Sequence, residues 1–134
     1  MANDVDMVHQ VFEFNELIIG LADIELNPLD EAVMAWTVKA YLEEIGELKT
    51  AFEDQDIVKM VDANLDLIYF AIGTLKKMGL SREHVRECMT AIHTANMTKR
   101  KGKLAKRNDH ENDAVKPDDF VPPEEAISEI LFLE

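Results

Sequence analysis

Residues 41–54, YLEEIGELKTAFED, place three glutamates within a segment that has the composition of a helix. The apolar stripe that passes through Ala40 continues at intervals of three or four residues to Glu44, Glu47 and Ala51. Residues at these intervals lie on one face of a helix, so Glu44 and Glu47 should border the core. Like charges at the edge of a core are costly, and we therefore expect them to require a cation.

A second acidic pair follows in residues 60–73, MVDANLDLIYFAIG, where Asp62 and Asp66 are four positions apart on one face. The two helices are joined by a short link, which predicts an antiparallel hairpin that presents four carboxylates. An isolated Glu-x-x-Glu is often only a solvated helix face, but two pairs on consecutive helices favour a ligand site. Because oxygen donors without cysteine or histidine suit hard cations, the predicted metal is Mg²⁺ or Mn²⁺, with Glu44, Glu47, Asp62 and Asp66 as its ligands.

The composition favours one helical domain. The chain has 134 residues, 47% of them hydrophobic, and its 5 glycines and 4 prolines are few. Ala, Leu, Ile, Met, Glu and Lys, which dominate the sequence, favour helices, so we predict an all-α fold with a single domain over residues 1–134. The core should occupy about residues 5–100, and residues 101–134 should form a polar loop followed by a short C-terminal helix.

Apolar periodicity and capping signals predict four longer helices, which cover about residues 5–22, 27–52, 57–78 and 81–97. The second of them should begin with Asn27 as its N-cap and Pro28 at its first position. Helices two and three carry apolar residues around more than half of their circumference. That distribution predicts an interface with another chain, and hence a homo-oligomer.

The formal charge of −13 argues against nucleic acid or a membrane surface as a partner, since both require a basic face. Six of the 14 basic residues are nevertheless concentrated in residues 99–107, which form either a solvated basic stretch or a site for an anionic ligand. The N-terminal residues are acidic where a signal peptide would be basic, and no apolar run approaches the ~18 residues that span a bilayer. We therefore expect a cytoplasmic protein.

Three blocks of the sequence stand out together: Glu43-Glu44-x-x-Glu47, VDANLDLIYFAIGTLKKMGL at residues 61–80 and IHTANMTK at residues 92–99. They resemble the all-α nucleoside-triphosphate pyrophosphatases, a superfamily of MazG-like proteins, dimeric dUTPases and phosphoribosyl-ATP pyrophosphohydrolases. The similarity extends over about residues 10 to 105. The sequence departs from the family pattern at Ala63, which takes the place of a glutamate, and Asp62 is the nearest acidic substitute.

The resemblance implies a fold, an assembly and a reaction. The fold is a four- to five-helix bundle of the MazG-like type, and the assembly is a homodimer or homotetramer with a small-molecule nucleotide as substrate. The reaction is the Mg²⁺-dependent hydrolysis of a (d)NTP between the α and β phosphates, which gives a monophosphate and pyrophosphate and serves to clean the nucleotide pool. Glu43, Glu44 and Glu47 would form its catalytic group, with Glu43 placed to orient or deprotonate the attacking water.

The resemblance also implies residues that bind the nucleotide. Asn96 and Lys99, on one helical face, would bind phosphate or sugar, with Arg100 and Lys103 as further phosphate ligands. For the base we consider Asn15, Trp36 and Tyr69, together with Phe14, although an aromatic residue on a helix stripe often belongs to the core instead.

Two other functions fit the same residues. One is a biosynthetic enzyme that acts on phosphoribosyl-ATP with the same chemistry. The other is a non-catalytic helical oligomerisation module, in which the carboxylates pair with lysines across a subunit interface. The module would show no change of stability with Mg²⁺, which distinguishes it from both enzymes.

Overall fold

The computed structural model describes residues 5–133, so residues 1–4 and 134 of the predicted single domain lie outside the described part. Five α-helices and two short strands confirm the all-α class. In the described range, no helix is long and apolar enough to cross a membrane. The helices are α1 (Met7–Phe14), α2 (Glu31–Glu53), α3 (Ile57–Lys77), α4 (Arg82–Asn96) and α5 (Glu124–Phe132), and the strands are β1 (Arg100–Gly102) and β2 (Asp113–Val115). The chain divides into two compact units, Met1–Arg82 and Glu83–Glu134.

The first helical region is shorter than predicted and changes its winding. After α1 the chain continues as a π-helical segment, Asn15–Ile19, and Gly20 ends it with a φ of 80°. A left-handed φ of this kind favours glycine, which explains why the helix does not reach residue 22. Wider π-helical turns of this sort are often found at functional sites.

The predicted start of α2 is wrong by three residues, because Asp30 caps the helix in place of Asn27. The Asp30 carboxylate accepts a hydrogen bond from the Val33 backbone N–H at 2.8 Å. The Asn27 N–H instead donates to the Met78 carbonyl oxygen at the end of α3, at 2.9 Å. Both residues are good N-caps, and this tertiary contact selects the second of them.

Helices α2 and α3 form the predicted antiparallel hairpin. Tyr41, near the middle of α2, donates a hydrogen bond from its hydroxyl to Thr74, late in α3, at 3.3 Å. Ala40, Ala51 and Ala63 are buried, and their small side chains let the two helices approach closely. The link between the helices has three residues.

The hairpin leaves a large apolar area uncovered in the single chain. Val58, for example, is 74% exposed. We call this area the exposed apolar surface of the hairpin, and it consists of Leu42, Ile45, Phe52, Ile57, Val58, Val61, Leu65 and Ile68. Exposed apolar patches of this extent are typical of surfaces that meet another protein.

Paired charges attach the end of α3 and Arg82 to the π-helical segment and to the loop that follows it. The buried ammonium of Lys76 lies 3.3 Å from Asp23 Oδ1 and 3.9 Å from Glu16 Oε2. Arg82 donates two hydrogen bonds to the Glu16 carboxylate, at 2.8 and 3.0 Å. Both cations also lie 5.2 Å from the centre of the Phe12 ring. Lys76 is therefore a compensated buried charge with a structural role.

The second unit contains most of α4, the two strands and α5. Its polar segment was predicted as a loop, but it contains a two-stranded antiparallel sheet in which Arg100 pairs with Val115 and Gly102 with Asp113. Arg107 bridges the intervening loop by donating two hydrogen bonds to the Asp113 carboxylate, at 2.8 and 3.1 Å. Strands of three residues are too short to show the alternation that would have identified them.

Candidate active site

The four predicted ligands form one acidic cluster, made of Glu44, Glu47, Asp62 and Asp66. Glu44 is only 8% exposed, and within residues 5–133 its Oε2 atom has no hydrogen-bond partner. Burial, a hydrogen bond with Glu47 and the negative charges of Glu47, Asp66 and Asp62 together raise the pKa of Glu44 to about 7, with burial the largest cause. The hairpin therefore holds a buried carboxyl group that lacks a compensating charge.

Asp66 and Asp62 occupy different positions relative to the protein interior. Burial raises the pKa of Asp66, and the charges of Asp62 and Glu47 add to the effect. Asp62 is exposed, whereas the neighbouring Ala63 is almost completely buried at the helix contact. A longer acidic side chain at position 63 would point into that contact, and the charge of Asp62 reaches both Glu44 and Asp66 from one residue earlier.

An open acidic cavity of about 710 Å³ adjoins the cluster. It is lined by Glu43, Gly46, Glu47, Thr50, Ala51, Lys59 and Asp62. Glu43 thus lies in the same cavity as two of the proposed ligands, as a water-activating residue would require. The sequence prediction missed Lys59, which lies one helical turn before Asp62 and could have been found by extending the acidic face of α3 toward its N-terminus.

The donor chemistry of the cluster suits a divalent cation that would share its coordination with phosphate. Within residues 5–133, no three Asp, Glu, His or Cys side chains are already arranged to hold a metal ion. Mg²⁺, however, is commonly held by one or two carboxylates, with phosphate oxygens and water as its remaining ligands. The unpartnered Oε2 of Glu44 and the all-oxygen donor set agree with such a site.

A second cavity, of about 370 Å³, borders the acidic cluster through Asp66. It is lined by Phe14, Asn15, Ile19, Trp36, Asp66, Tyr69, Phe70, Gly73 and Lys77, and we call it the aromatic cavity. Phe14 and Tyr69 pack edge to face with ring centres 5.6 Å apart, and Trp36 and Phe70 do so at 5.9 Å.

The aromatic cavity brings together the residues that we considered for base binding, Asn15, Trp36 and Tyr69. Trp36 is 48% exposed, so in the single chain it is not a core residue. The sequence prediction missed Lys77, whose ammonium lies 3.7 Å from the centre of the Trp36 ring. Lys77 is one turn beyond Gly73 on the same stripe of α3, and following that stripe to its end would have found it.

The predicted phosphate ligands Asn96, Lys99, Arg100 and Lys103 belong to the second unit. Helix α4 ends at Asn96, so the prediction that Lys99 continues its helical face is wrong. Lys99 follows a turn, and its ammonium lies 5.4 Å from the centre of the Phe120 ring. Arg100 begins β1, and both Arg100 and Lys103 are exposed.

Comparison with known proteins gives one family. Residues 12–96 match the family described as phosphoribosyl-ATP pyrophosphohydrolase, whereas no curated protein matches the chain. The matched range includes the whole hairpin and its acidic cluster, as well as the end of α1 and all of α4. Since it covers well over half of the sequence, the chain belongs to the phosphoribosyl-ATP pyrophosphohydrolase family, within the MazG-like all-α NTP pyrophosphatase superfamily.

Proposed function

We propose that this protein is a Mg²⁺-dependent nucleoside-triphosphate pyrophosphohydrolase that cleaves a (d)NTP between the α and β phosphates. Membership of the family supports a hydrolase of phosphoric anhydride bonds. The observation that carries the finer proposal is the buried carboxyl group of Glu44, whose Oε2 has no hydrogen-bond partner within residues 5–133, in a cluster of four acidic side chains. Without a cation, the buried and mutually repelling carboxylates destabilise the folded protein. A bound cation and polyphosphate would compensate this charge in the working enzyme.

The acidic cluster and Glu43 have separate roles in the proposed reaction. Glu44, Glu47 and Asp66 would hold Mg²⁺, with Asp62 in place of the family glutamate. When bound there, the ion would neutralise phosphate oxygens and make water more acidic. Glu43 would orient the attacking water and accept its proton. The water oxygen bonds to the α phosphorus, the bond from that phosphorus to the bridging oxygen breaks, and pyrophosphate leaves with that oxygen.

Two groups of cations are candidates for binding the phosphates, and each belongs to its own unit. Lys59 lines the acidic cavity beside Glu47 and Asp62, and within residues 5–133 no carboxylate lies within 4.0 Å of its ammonium. The second source is the basic segment that begins at Lys99. A lysine contributes a mobile point charge that can follow the phosphate groups from substrate to product.

We propose that the functional form is a homodimer or a homotetramer. The exposed apolar surface of the hairpin supports this proposal, because eight large apolar side chains from two adjacent helices would otherwise remain in water. A second copy of the chain could cover this surface on both subunits through a two-fold axis.

Phosphoribosyl-ATP is the second candidate substrate, and the family match supports it directly. Its hydrolysis would use the same acidic cluster and release the same pyrophosphate. The two substrates differ in the base, because phosphoribosyl-ATP carries a second sugar on the adenine ring.

The proposal is tested by incubating the purified protein with Mg²⁺ and each of the eight common (d)NTPs, and separately with phosphoribosyl-ATP. Pyrophosphate and orthophosphate should be measured by independent assays. We expect pyrophosphate alone from at least one (d)NTP, and its loss in Asp66→Asn but not in the matched control Glu53→Gln, which changes an exposed carboxylate at the end of α2. Release of orthophosphate, or no hydrolysis of any of these substrates, would contradict the proposal.

A further inference from the structure

Asn15 offers the aromatic cavity a hydrogen-bond acceptor of fixed position. The side chain is 8% exposed, and its Nδ2 donates to the Val11 carbonyl oxygen at 2.8 Å. Because a carbonyl oxygen only accepts, this bond fixes which end of the amide is nitrogen. The hydrogen bonds of residues 5–133 include none to Asn15 Oδ1, so the oxygen stays available to a ligand N–H.

Gly73 provides the room for this amide. A Cβ atom at position 73 would lie 3.2 Å from Asn15 Nδ2 and 3.7 Å from Oδ1. Asn15 therefore packs directly against the backbone of α3. Lys77 is one turn further along that face, at the distance that separates neighbouring side chains on a helix.

Lys77 offers the same cavity a donor. Its ammonium stacks on Trp36 at 3.7 Å, and within residues 5–133 no carboxylate lies within 4.0 Å of it. Burial lowers the pKa of Lys77, as expected for a cation held by a ring face and not by a counter-charge. An ammonium group has three donors and no acceptor, so a ligand atom that replaces the Trp36 ring face must accept a hydrogen bond.

We infer that Asn15 and Lys77 recognise a nucleobase with a free Watson–Crick edge, and that the aromatic cavity excludes adenine substituted at N1. Every common base has on that edge an N–H next to an acceptor: N3–H and O4 in uracil, and the amino group and N1 in adenine. The N–H is bound by Asn15 Oδ1 and the acceptor by the Lys77 ammonium.

This inference rests on the proposed function and selects between its two candidate substrates. In phosphoribosyl-ATP the second sugar is attached to N1 of adenine, so the ring has lost the acceptor that Lys77 requires. A ring alkylated at this nitrogen also binds a proton more readily than adenine, and the protonated ring offers Lys77 no acceptor on that edge. Ordinary nucleoside triphosphates are therefore the substrate class, and phosphoribosyl-ATP is rejected by the cavity.

Binding of matched monophosphates tests the inference without any turnover. Trp36 is the only tryptophan, so its fluorescence reports directly on ligands that enter the aromatic cavity. The pairs to compare are AMP with 1-methyl-AMP and UMP with 3-methyl-UMP, in which one methyl group blocks the edge. For the pair whose parent binds more tightly, we expect the methyl group to weaken binding by about tenfold or more. Equal affinity within that pair, or no fluorescence response to either parent, would overturn the inference.

A lysine variant identifies the group that discriminates. Lys77→Met keeps an unbranched side chain against Trp36 but removes the ammonium, and it should reduce the AMP to 1-methyl-AMP preference at least threefold. Lys49→Met, which changes an exposed lysine of α2, should leave the preference unchanged. An unchanged preference for AMP over 1-methyl-AMP in Lys77→Met would show that Lys77 does not bind the Watson–Crick edge of the base.

Turnover then separates this inference from the proposed function. Faster hydrolysis of ATP than of 1-methyl-ATP and phosphoribosyl-ATP, by about tenfold in kcat/KM, would support both. If phosphoribosyl-ATP were the better substrate, the proposed pyrophosphohydrolase activity would be supported, and the inference that the cavity requires a free Watson–Crick edge would be wrong. If no substrate were hydrolysed, the proposed function would fail, and the fluorescence pairs would still decide the inference.

Discussion

Replacing Glu44 by glutamine should stabilise the metal-free protein, even though it removes a residue of the proposed active site. The folded state holds this carboxyl group in a buried position among three other acidic side chains. Glutamine has nearly the same shape, carries no charge and can donate a hydrogen bond to Glu47. The substitution therefore removes the repulsion while it keeps the packing.

The pKa of Glu44 gives the size and the sign of the effect. Burial and neighbouring charges raise it from 4.5 to about 7. At 1.36 kcal/mol per pKa unit this corresponds to about 3 kcal/mol, and solvent relaxation around an ionised group reduces the expected value to about 1 to 3 kcal/mol. Between pH 4.5 and pH 7 the folded protein binds more protons at this site than the unfolded chain, so the free energy of unfolding falls as pH rises. Below pH 4.5 Glu44 is protonated in both states and does not destabilise the folded protein. Above pH 7 its destabilisation of the folded protein is complete.

Thermal melts in EDTA at pH 4 and pH 8, at one protein concentration, measure this difference. For a domain of this size each kcal/mol should shift Tm by about 3 to 5 °C. We expect Glu44→Gln to melt above wild type at pH 8 and close to it at pH 4, and the control Glu53→Gln to change by a few tenths of a kcal/mol at both. A glutamine variant that is no more stable than wild type at pH 8, or equally stabilised at both pH values, would refute the account of Glu44 as an uncompensated buried acid.

Four further outcomes follow from the site. Millimolar Mg²⁺ or Mn²⁺ should raise the Tm of wild type, and Glu47→Gln should reduce that rise; a wild-type melt that is unaffected by both ions would exclude the metal site. Titration of Mg²⁺ at pH 7 should release about half a proton per site, since Glu44 is then about half protonated, and calorimetry in buffers of different ionisation enthalpy should show this release disappear in Glu44→Gln. Lys99→Ala should raise the activation free energy, measured from kcat/KM, by about 2 kcal/mol and leave the thermal melt unchanged. Full activity of this variant would show that the basic segment is only solvated. Val61→Lys places a charge on the exposed apolar surface of the hairpin, so light scattering at micromolar concentration should show a smaller particle than wild type; a folded, active 15.2 kDa wild-type monomer would contradict the oligomer.

The sequence predicted the hairpin well because both of its helices have long, regular apolar stripes. Helix α3 was predicted at residues 57–78 and is found at Ile57–Lys77, with Gly79 at a φ of 93° to end it. A Cβ atom at Gly79 would also lie 2.5 Å from the Glu25 carbonyl oxygen. Where the prediction erred, at the start of α2, local capping preference was equal at two residues and a distant contact selected one.

The acidic cluster was predictable because spacing along a helix fixes which carboxylates share a face. Lys59 and Lys77 were missed because a lysine near a helix end is read from sequence as a surface charge or a dipole partner. Both lysines line cavities that form only when α2 packs on α3. The position of Lys77 also depends on its contact with the Trp36 ring. The role of Lys99 stays a prediction, since its neighbours in space lie in the second unit and were not recognisable from periodicity.

The short link between α2 and α3 has a consequence for the order of folding. Three residues join the helices, with Gln55 in a left-handed conformation at a φ of 54°, so the hairpin closes through contacts that are close in sequence. Contacts of this kind tend to form early, so we expect the four carboxylates to meet already in the folding transition state. Their repulsion should then slow the closing of the hairpin. A cation bound between the pairing helices would remove this repulsion, so Mg²⁺ should quicken refolding more than it slows unfolding.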